Sequence, residues 1–257
     1  LNLGMSYSAA NVLVNAGADQ VRRWLPFDAS AGQVSDEIST KMIFPTTLPQ
    51  DLGDLMVEQA VAREALRLAY EQHKEVAAAP PAEVSPLKRL TMSSEQALKI
   101  ASGAVEKPWH DIDLLVGSGG VISHAPGRAQ AALMMLDAFQ PNGMVDLVVD
   151  SVFMLPHLGA LSTLWPDISS QVLAADCLIS LGQAVCLRGA YRRGARAVSV
   201  TGRAESGKAI SAQVNWGDIH RLDVSLGEKA QIRVAPEGPV DAGRGTGRSF
   251  TLDIVGG

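Results

Sequence analysis

Residues 113–130 read DLLVGSGGVISHAPGRAQ and form the stretch on which the fold and function of this chain depend. Three apolar residues lead into a Gly-Ser-Gly-Gly turn, and a helical pattern follows Pro126. A strand that ends in glycines lets its backbone approach a flat or anionic ligand closely, because no Cβ intervenes. The alternative is that the glycines only form a corner between a strand and a helix. The stretch alone leaves both interpretations open.

Three familiar glycine motifs do not fit this turn. A phosphate-binding P-loop ends in Gly-Lys followed by Ser or Thr, and no such lysine follows here. A dinucleotide fingerprint, G-x-G-x-x-G, fails because Ile122 stands where the third glycine belongs. A nucleophile elbow, G-x-S-x-G, fails because Val116 stands two residues before Ser118. The remaining evidence for a ligand site is the position of the turn at the end of a strand, since ligands of α/β layers lie at the carboxyl ends of strands.

The sequence on both sides of the turn alternates between helices and strands. EQALKIASGAV and the run after Pro126 are predicted helices, IDLLVG and MVDLVVD are predicted buried strands, and a helix-rich segment extends to about Gly182. This order of elements, with continuous apolar strands, predicts an α/β layer whose strands are covered on both faces.

The chain is predicted to have a domain of residues 1–189, helical over 1–85 and α/β over 86–189, and a small β-rich domain of residues 190–257. The first part contains a helix in SAANVLVNAG, a second after PFDAS, and a long helix from about Leu52 to Lys74 with Glu64 at a polar position. EVAAAPPAEVSP then reads as a linker. The last part has five runs typical of antiparallel strands: ARAVSVTGRA, KAISAQVNW, HRLDVSLG, AQIRVAPEG and RSFTLDIVGG.

Composition narrows the class of protein. Hydrophobic residues make up 47% and charged residues 19% of the chain, which is typical of a folded protein. The net charge of −5 argues against nucleic acid or an anionic membrane as a partner. Cys177 and Cys186 lie in apolar surroundings, which predicts reduced thiols and a cytoplasmic location. The opening at Leu1 reads as the middle of a sequence and predicts a piece of a longer protein.

The glycine turn and its surroundings resemble two groups of known proteins. A strand running into Gly-Gly, then a short loop, a proline and a helix, resembles the adenosine motif of the actin-like ATPase superfamily. The chain resembles the glutamate mutase L family, also called MutL and unrelated to the mismatch-repair protein of that name, more closely. The stretches that carry this resemblance are RWLPFD, PTTLPQDLGDLMVEQAVAREALRLAYEQHK, DLLVGSGGVISHAPGRAQAALMMLDAFQP, VDSVFMLPHLGALS and PEGPVDAGRGTGRSF.

This resemblance implies both a fold and a function. The implied fold is an actin-like ATPase-type (ribonuclease H-like) α/β layer with helices on a mixed sheet, to which the mostly antiparallel C-terminal β unit is added. The implied function is that of a nucleotide-binding, chaperone-like accessory or reactivating factor for an adenosylcobalamin-dependent carbon-skeleton mutase such as glutamate mutase. The implied partners are the mutase subunits, and assembly into homo-oligomers is left open.

The nucleotide-binding residues follow from the same resemblance. The glycine turn would pass close to adenine and ribose, and an acidic residue at the end of the next strand would match the family's following segment. His124 has a second interpretation, as a donor to a backbone carbonyl. The candidate residues are Gly117, Ser118, Gly119, Gly120, Ser123, His124 and Asp150.

One feature of actin-like ATPases is missing from this sequence. Their D-x-G-[ST]-T phosphate loop, whose acidic residue helps to hold Mg²⁺, does not occur here. The resemblance therefore implies ATP and Mg²⁺ for a longer protein, and for this chain alone weak nucleotide binding, little hydrolysis and no cofactor, because catalysis depends on positioned phosphates and metal. No catalytic residue is assigned, and the scattered histidines predict no metal site.

Two other stretches have competing interpretations. GRGTGR (residues 243–248) imitates a phosphate loop, but its place between β runs favours a hairpin turn. RGAYRRGAR (residues 188–196) is either a solvated basic surface or a site for an acidic partner. Two alternative functions therefore stay open: a non-enzymatic interaction scaffold that uses the β-rich C-terminal unit, and a small-molecule enzyme of unrecognised type at a cleft beside Gly117–His124.

Overall fold

The computed structural model describes residues 2–78 and 112–256. Contacts divide these residues into two units, one of residues 2–78 with Asp137–Phe139 and one of residues 112–136 with 140–256. The predicted helix EQALKIASGAV and most of the predicted linker lie outside the described residues. No helix in the described ranges combines the length and apolar character that crossing a membrane requires.

The first unit is helical, as the sequence predicts for this part of the chain. Small and branched apolar side chains from all four helices form its core, including Val12, Val21 and Val34. Ser30 and Gln33 form a capping box that starts the third helix, and Gly17, at φ +83°, separates the first two. The helices are α1 (Ala9–Ala16), α2 (Ala18–Arg22), α3 (Ala31–Ile43) and α4 (Leu52–Ala78).

Glu64, at a polar position in the pattern of α4, is fully buried. Its Oε1 accepts hydrogen bonds from Arg23 Nη2 at 2.9 Å and Trp24 Nε1 at 2.7 Å. Its Oε2 accepts two more from the Arg67 guanidinium, at 2.9 and 2.7 Å. A buried carboxylate is tolerated where charged and neutral donors satisfy it, and here those donors join α4 to the end of α2.

The α/β part of the second unit is built on a three-stranded mixed sheet in the order β1-β2-β3. Strand β2 pairs in parallel with β1 and antiparallel with β3. The elements up to the end of this sheet are β1 (Leu114–Gly117), the one-turn helix α5 (Gly120–Ser123), α6 (Arg128–Phe139), β2 (Gly143–Asp150), α7 (Leu155–Leu161), α8 (Pro166–Val172), a π-helical turn (Leu173–Cys177) and β3 (Leu178–Cys186).

One sequence prediction for this part is wrong, and another stays a prediction. Burial alternates along β1 and β2, and Leu114 and Val116 are 49% and 40% exposed, so the described residues do not confirm that both faces of the strands are covered. An apolar run by itself does not distinguish a strand buried on one face from a strand buried on both. The helix-rich segment ends earlier than the predicted Gly182, since the chain becomes extended at Leu178 and pairs with β2.

The C-terminal residues form the predicted antiparallel sheet, which has four strands in the order β6-β5-β7-β9. HRLDVSLG is not a strand, although Leu222 and Val224 pack against the sheet's core, because its backbone does not pair with a neighbouring strand. The remaining elements are β4 (Arg188–Gly189), β5 (Arg196–Ala204), β6 (Ala209–Asn215), β7 (Lys229–Pro236), β8 (Val240–Asp241) and β9 (Phe250–Val255), with β4 pairing only with β8.

The two sheets of the second unit contact each other, a point that the sequence leaves open. Met144 of β2 and Val185 of β3 pack against the apolar core of the four-stranded sheet. The backbone N–H of Val255 donates to Gln183 Oε1 at 2.9 Å, which joins β9 to β3. Residues on both sides of position 190 therefore share one core, while the domain boundary near 190 stays a sequence prediction.

Candidate functional site

The glycine turn lies at the carboxyl end of β1, beside the end of β2. The parallel register pairs Gly117 with Val149, so the residues that follow each strand are neighbours. Ser118 Oγ donates to Asp150 Oδ2 at 3.4 Å, and Ser123 Oγ donates to the Asp150 carbonyl at 2.7 Å. Both ends of the turn are therefore tied to one residue of the adjacent strand.

The three glycines of the turn have different structural roles. A Cβ on Gly117 would lie 2.7 Å from Ile122 Cγ2 and 2.8 Å from Met135 Sδ, so a larger residue would force these side chains to shift. Gly119 has φ +110°, which other residues rarely adopt. Among the described residues, apart from the local backbone, no heavy atom lies within 4 Å of where a Cβ on Gly119 or Gly120 would stand. The first glycine is thus favoured by packing, while the other two border space that the described residues leave open.

The turn also presents unused backbone donors. The N–H groups of Ile122 and Ser123 donate to the Gly119 carbonyl, and that of His124 donates to Gly120. The N–H groups of residues 118–121 make no hydrogen bond within the described chain. Ser118 and Gly120 are exposed, so these donors are open to solvent or to a ligand. Backbone donors on an open glycine turn suit the oxygen atoms of a polar or anionic group.

Asp150 is fully buried and acts as an anchor for backbone groups. Its Oδ1 accepts from the N–H groups of Val152 at 3.3 Å and Met154 at 3.2 Å. Its Oδ2 accepts from the N–H of Leu155 at 3.1 Å, in addition to Ser118 Oγ. The carboxylate therefore caps the start of α7 while holding the glycine turn, and its oxygen atoms are already occupied.

The surroundings of Asp150 favour its charged form. Burial by itself raises the pKa of a carboxyl group, but the three backbone N–H donors and Ser118 outweigh it, so the pKa of Asp150 is lowered from its ordinary value.

The two free thiols of the second unit have raised pKa values. Burial raises the pKa of the Cys177 thiol most, and the nearby charges of Asp150 and Asp176 raise it further. Burial also raises the pKa of Cys186, to about 11. Neither free thiol is therefore an activated nucleophile at neutral pH.

An aromatic pair borders the turn on the side of α5. The exposed His124 ring meets Phe153 edge to face, with ring centroids 5.3 Å apart. Within the described chain the His124 side chain makes no hydrogen bond, so the interpretation of its ring as a donor to a carbonyl finds no support. Phe153 has φ +59°, a conformation unusual for a large side chain. Backbone strain of this kind is common at functional sites, and a single sequence does not reveal it.

Arg128 is a second residue that the sequence analysis did not assign to the site. It is the first residue of α6, and its Nη1 donates to the Ser123 carbonyl at 3.3 Å, which places an exposed cation beside the turn. The predicted helix after Pro126 is confirmed, and the Gln130 side chain caps its start by accepting from the Gly127 N–H at 2.9 Å. The Gly-Arg that follows Pro126 is the sequence signal that would have found this cation.

A divalent cation does not fit the described residues of this site. The Asp150 carboxylate is occupied by N–H and O–H donors, and the described chain holds no group of three His, Cys, Asp or Glu arranged to bind a metal. Mg²⁺ needs free oxygen ligands, commonly carboxylates together with substrate phosphates. The described residues of the site thus supply backbone donors and aromatic rings but no ligand set for a divalent metal.

The structure thus brings the seven predicted residues together around the end of two parallel strands. The α/β part is a mixed layer, and its glycine turn lies where proteins of this class place small ligands. The role of the seven residues in nucleotide binding stays a prediction.

The family comparison agrees with the resemblance found in the sequence. A model of the MutL protein family matches residues 1–177, which include the glycine turn and Asp150. The chain therefore belongs to the MutL family, the family associated with glutamate mutase and not the mismatch-repair family. No curated protein and no solved structure matches the chain. The actin-like ATPase architecture stays a proposal.

Proposed function

We propose that this chain is a nucleotide-binding part of an accessory, chaperone-like factor for an adenosylcobalamin-dependent mutase such as glutamate mutase, with an actin-like ATPase-type architecture. Membership of the MutL family supports the association with glutamate mutase. The observation that supports nucleotide binding is the open glycine turn, in which the N–H groups of residues 118–121 lack partners in the described chain.

The groups around the turn match the parts of a nucleotide. The free N–H groups donate to ribose or phosphate oxygen atoms, because the open side of Gly119 and Gly120 lets such atoms approach the backbone. The His124 and Phe153 rings offer an aromatic surface to the base. Arg128 supplies a cation for a phosphate group.

Asp150 acts in this proposal as a positioning residue. Its carboxylate holds Ser118 and the start of α7, so it fixes the turn without contacting the ligand. The described residues contain no metal ligands here, and phosphoryl transfer depends on metal and phosphate positioning. We therefore assign nucleotide binding to this site and leave hydrolysis to residues beyond it.

Calorimetry with Mg-ATP on the longest available form of the protein tests the proposal. Gly120→Arg fills the open side of the turn without a clash inside the chain, and we expect a loss in affinity of about tenfold or more. Gly159→Arg is the matched control, because Gly159 is also exposed with no heavy atom within 4 Å of its Cβ position. The proposal fails if Gly120→Arg and Gly159→Arg bind Mg-ATP equally well.

A further inference from the structure

An arginine-rich surface lies on the second unit, on turns that the nucleotide-binding proposal does not use. It consists of five exposed arginines, and we call it the arginine surface. Three of them come from the stretch before β5 and two from the turn between β8 and β9. They are Arg188, Arg192, Arg193, Arg244 and Arg248.

Backbone pairing joins the two stretches that carry these arginines. Strands β4 and β8 pair antiparallel, with Arg188 opposite Asp241. The ring of Tyr191 packs against Gly238, and the N–H of Gly247 donates to the Val240 carbonyl at 2.8 Å. The arginines therefore lie on connected turns of one region, although their sequence positions span sixty residues.

Within the described residues, the acidic residues of this region form no ion pair with the five arginines. Glu237 pairs with Arg196 at 2.8 Å, an arginine that is outside the surface as defined. The Asp241 Oδ1 accepts from the N–H groups of Gly243, Arg244 and Gly245 at 2.8 to 3.1 Å. Within the described residues, the five guanidinium groups form no ion pair and no side-chain hydrogen bond.

This local charge is opposite to that of the protein as a whole. The stretches 187–196 and 237–249 hold six arginines and two acidic residues, whereas the whole chain has a net charge of −5. Every cation of the surface is an arginine, whose planar fork of donors matches a carboxylate with two parallel hydrogen bonds. A surface region of one charge sign attracts ligands and partners of the opposite sign and raises their rate of association.

We propose that the arginine surface binds an acidic, carboxylate-rich segment of a partner protein. This inference is independent of nucleotide binding at the glycine turn. One observation favours a short acidic segment over nucleic acid. The negative charge carried by the rest of the chain would repel a long phosphate backbone that extended past the surface.

Fluorescence anisotropy with a short labelled oligoglutamate peptide tests this proposal on the full chain. We expect binding that weakens with added salt, and a loss of about tenfold or more in the double variant Arg192→Glu/Arg193→Glu or Arg244→Glu/Arg248→Glu. The matched control is Lys229→Glu/Arg233→Glu on the exposed side of β7, which makes the same change in net charge away from the surface. Arg192→Lys/Arg193→Lys keeps the charge but removes the fork, and an intermediate loss is expected.

Each outcome of this experiment bears on the proposal. The altered arginines are exposed, so unchanged circular dichroism is expected to show that the variants remain folded. An equal loss in the β7 control would mean that only the overall charge matters, and it would overturn the assignment to this surface. Tighter binding of double-stranded DNA than of the oligoglutamate peptide would assign the surface to nucleic acid instead, and absence of peptide binding by the unaltered chain would reject the proposal.

Discussion

The two glycine-rich turns of the second unit use their backbone donors in opposite ways. In the turn after β1, the N–H groups of residues 118–121 have no partner within the described chain. In the turn after β8, three consecutive N–H groups donate to a single oxygen of Asp241. The first turn is open to an external acceptor, whereas the second already contains its own.

The difference comes from where the nearest carboxylate directs its oxygen atoms. Asp241 precedes its own turn by two residues and folds back onto it, as Asp commonly does in loops. Asp150 reaches the first turn from the neighbouring strand and uses its oxygen atoms on Ser118 and on the start of α7. Glycine content therefore does not by itself identify a ligand site. GRGTGR is a turn stabilised by the Asp241 side chain that precedes it, and the N–H groups of residues 243–245 already donate to that carboxylate.

The largest effect is expected from Asp150→Asn, which weakens the anchor of the open turn. The amide nitrogen of the new side chain would face N–H donors that now meet an oxygen atom, so we expect a destabilisation of roughly 2–4 kcal/mol, measured by chemical denaturation. Asp241→Asn is the matched control in the other turn, and its donors are more exposed, so its loss should be smaller. Equal losses would show that the two carboxylates have similar roles.

The same variant has a characteristic dependence on pH. Because folding lowers the pKa of Asp150, its contribution to stability is fully present above its unfolded pKa, about 3.9, and is lost as pH falls through the lower folded value. The difference in stability between the unaltered chain and Asp150→Asn should therefore shrink as pH falls below about 4. A difference that stays constant down to pH 2 would contradict the role given to the charge.

A smaller difference in stability is expected between alanine substitutions of two glycines in the open turn. Gly117→Ala forces a methyl group against Ile122 and Met135, and overpacking of this kind costs about 1–3 kcal/mol. Gly120→Ala adds the same group to open space and should change the free energy of unfolding by no more than about 0.5 kcal/mol. Thermal or chemical denaturation of the pair checks this prediction, which is wrong if both variants lose the same stability.

The smallest effect concerns hydrogen exchange in the two turns. Amides of residues 118–121 should exchange faster than those of residues 243–245, because only the latter donate to a carboxylate. Asp241→Ala should remove this protection at a cost of about 1 kcal/mol or less, similar to the loss of a capping residue. Mass spectrometry of exchanged peptides measures both rates, and equally slow exchange in the open turn would show that its donors have partners.

Much of the fold follows from local patterns in the sequence. The helices α1, α3 and α4, the strands on either side of α6 and four of the five C-terminal strands lie where periodicity and turn residues predict them. The strand prediction for HRLDVSLG is wrong because an alternating pattern shows that one side of a segment is buried but not that its backbone pairs with another strand. The helix prediction for residues 178–182 is wrong because an apolar run next to a helix fits a helix and a strand equally well.

The candidate site was predicted less completely than the fold. The glycine turn and Asp150 were found because they follow two predicted parallel strands, whose carboxyl ends must lie side by side. Phe153 was missed because the sequence does not reveal a positive φ. Arg128 was missed although its place directly after Pro126-Gly127 puts a cation at the start of the helix beside the turn. The buried position of Glu64 was missed because its donors come from a segment about forty residues away.

By itself the sequence determined the class of protein, the MutL family and the turn at which to look for a ligand, because composition, periodicity and short motifs are properties of neighbouring residues. Only the tertiary structure decided which donors remain free. Folding brings together groups from distant positions in the sequence. These groups decide whether a partner is present for an N–H of a glycine turn, a buried carboxylate or an exposed arginine. Those pairings leave one glycine turn open, close the other and leave five arginines without a counterion in the described chain.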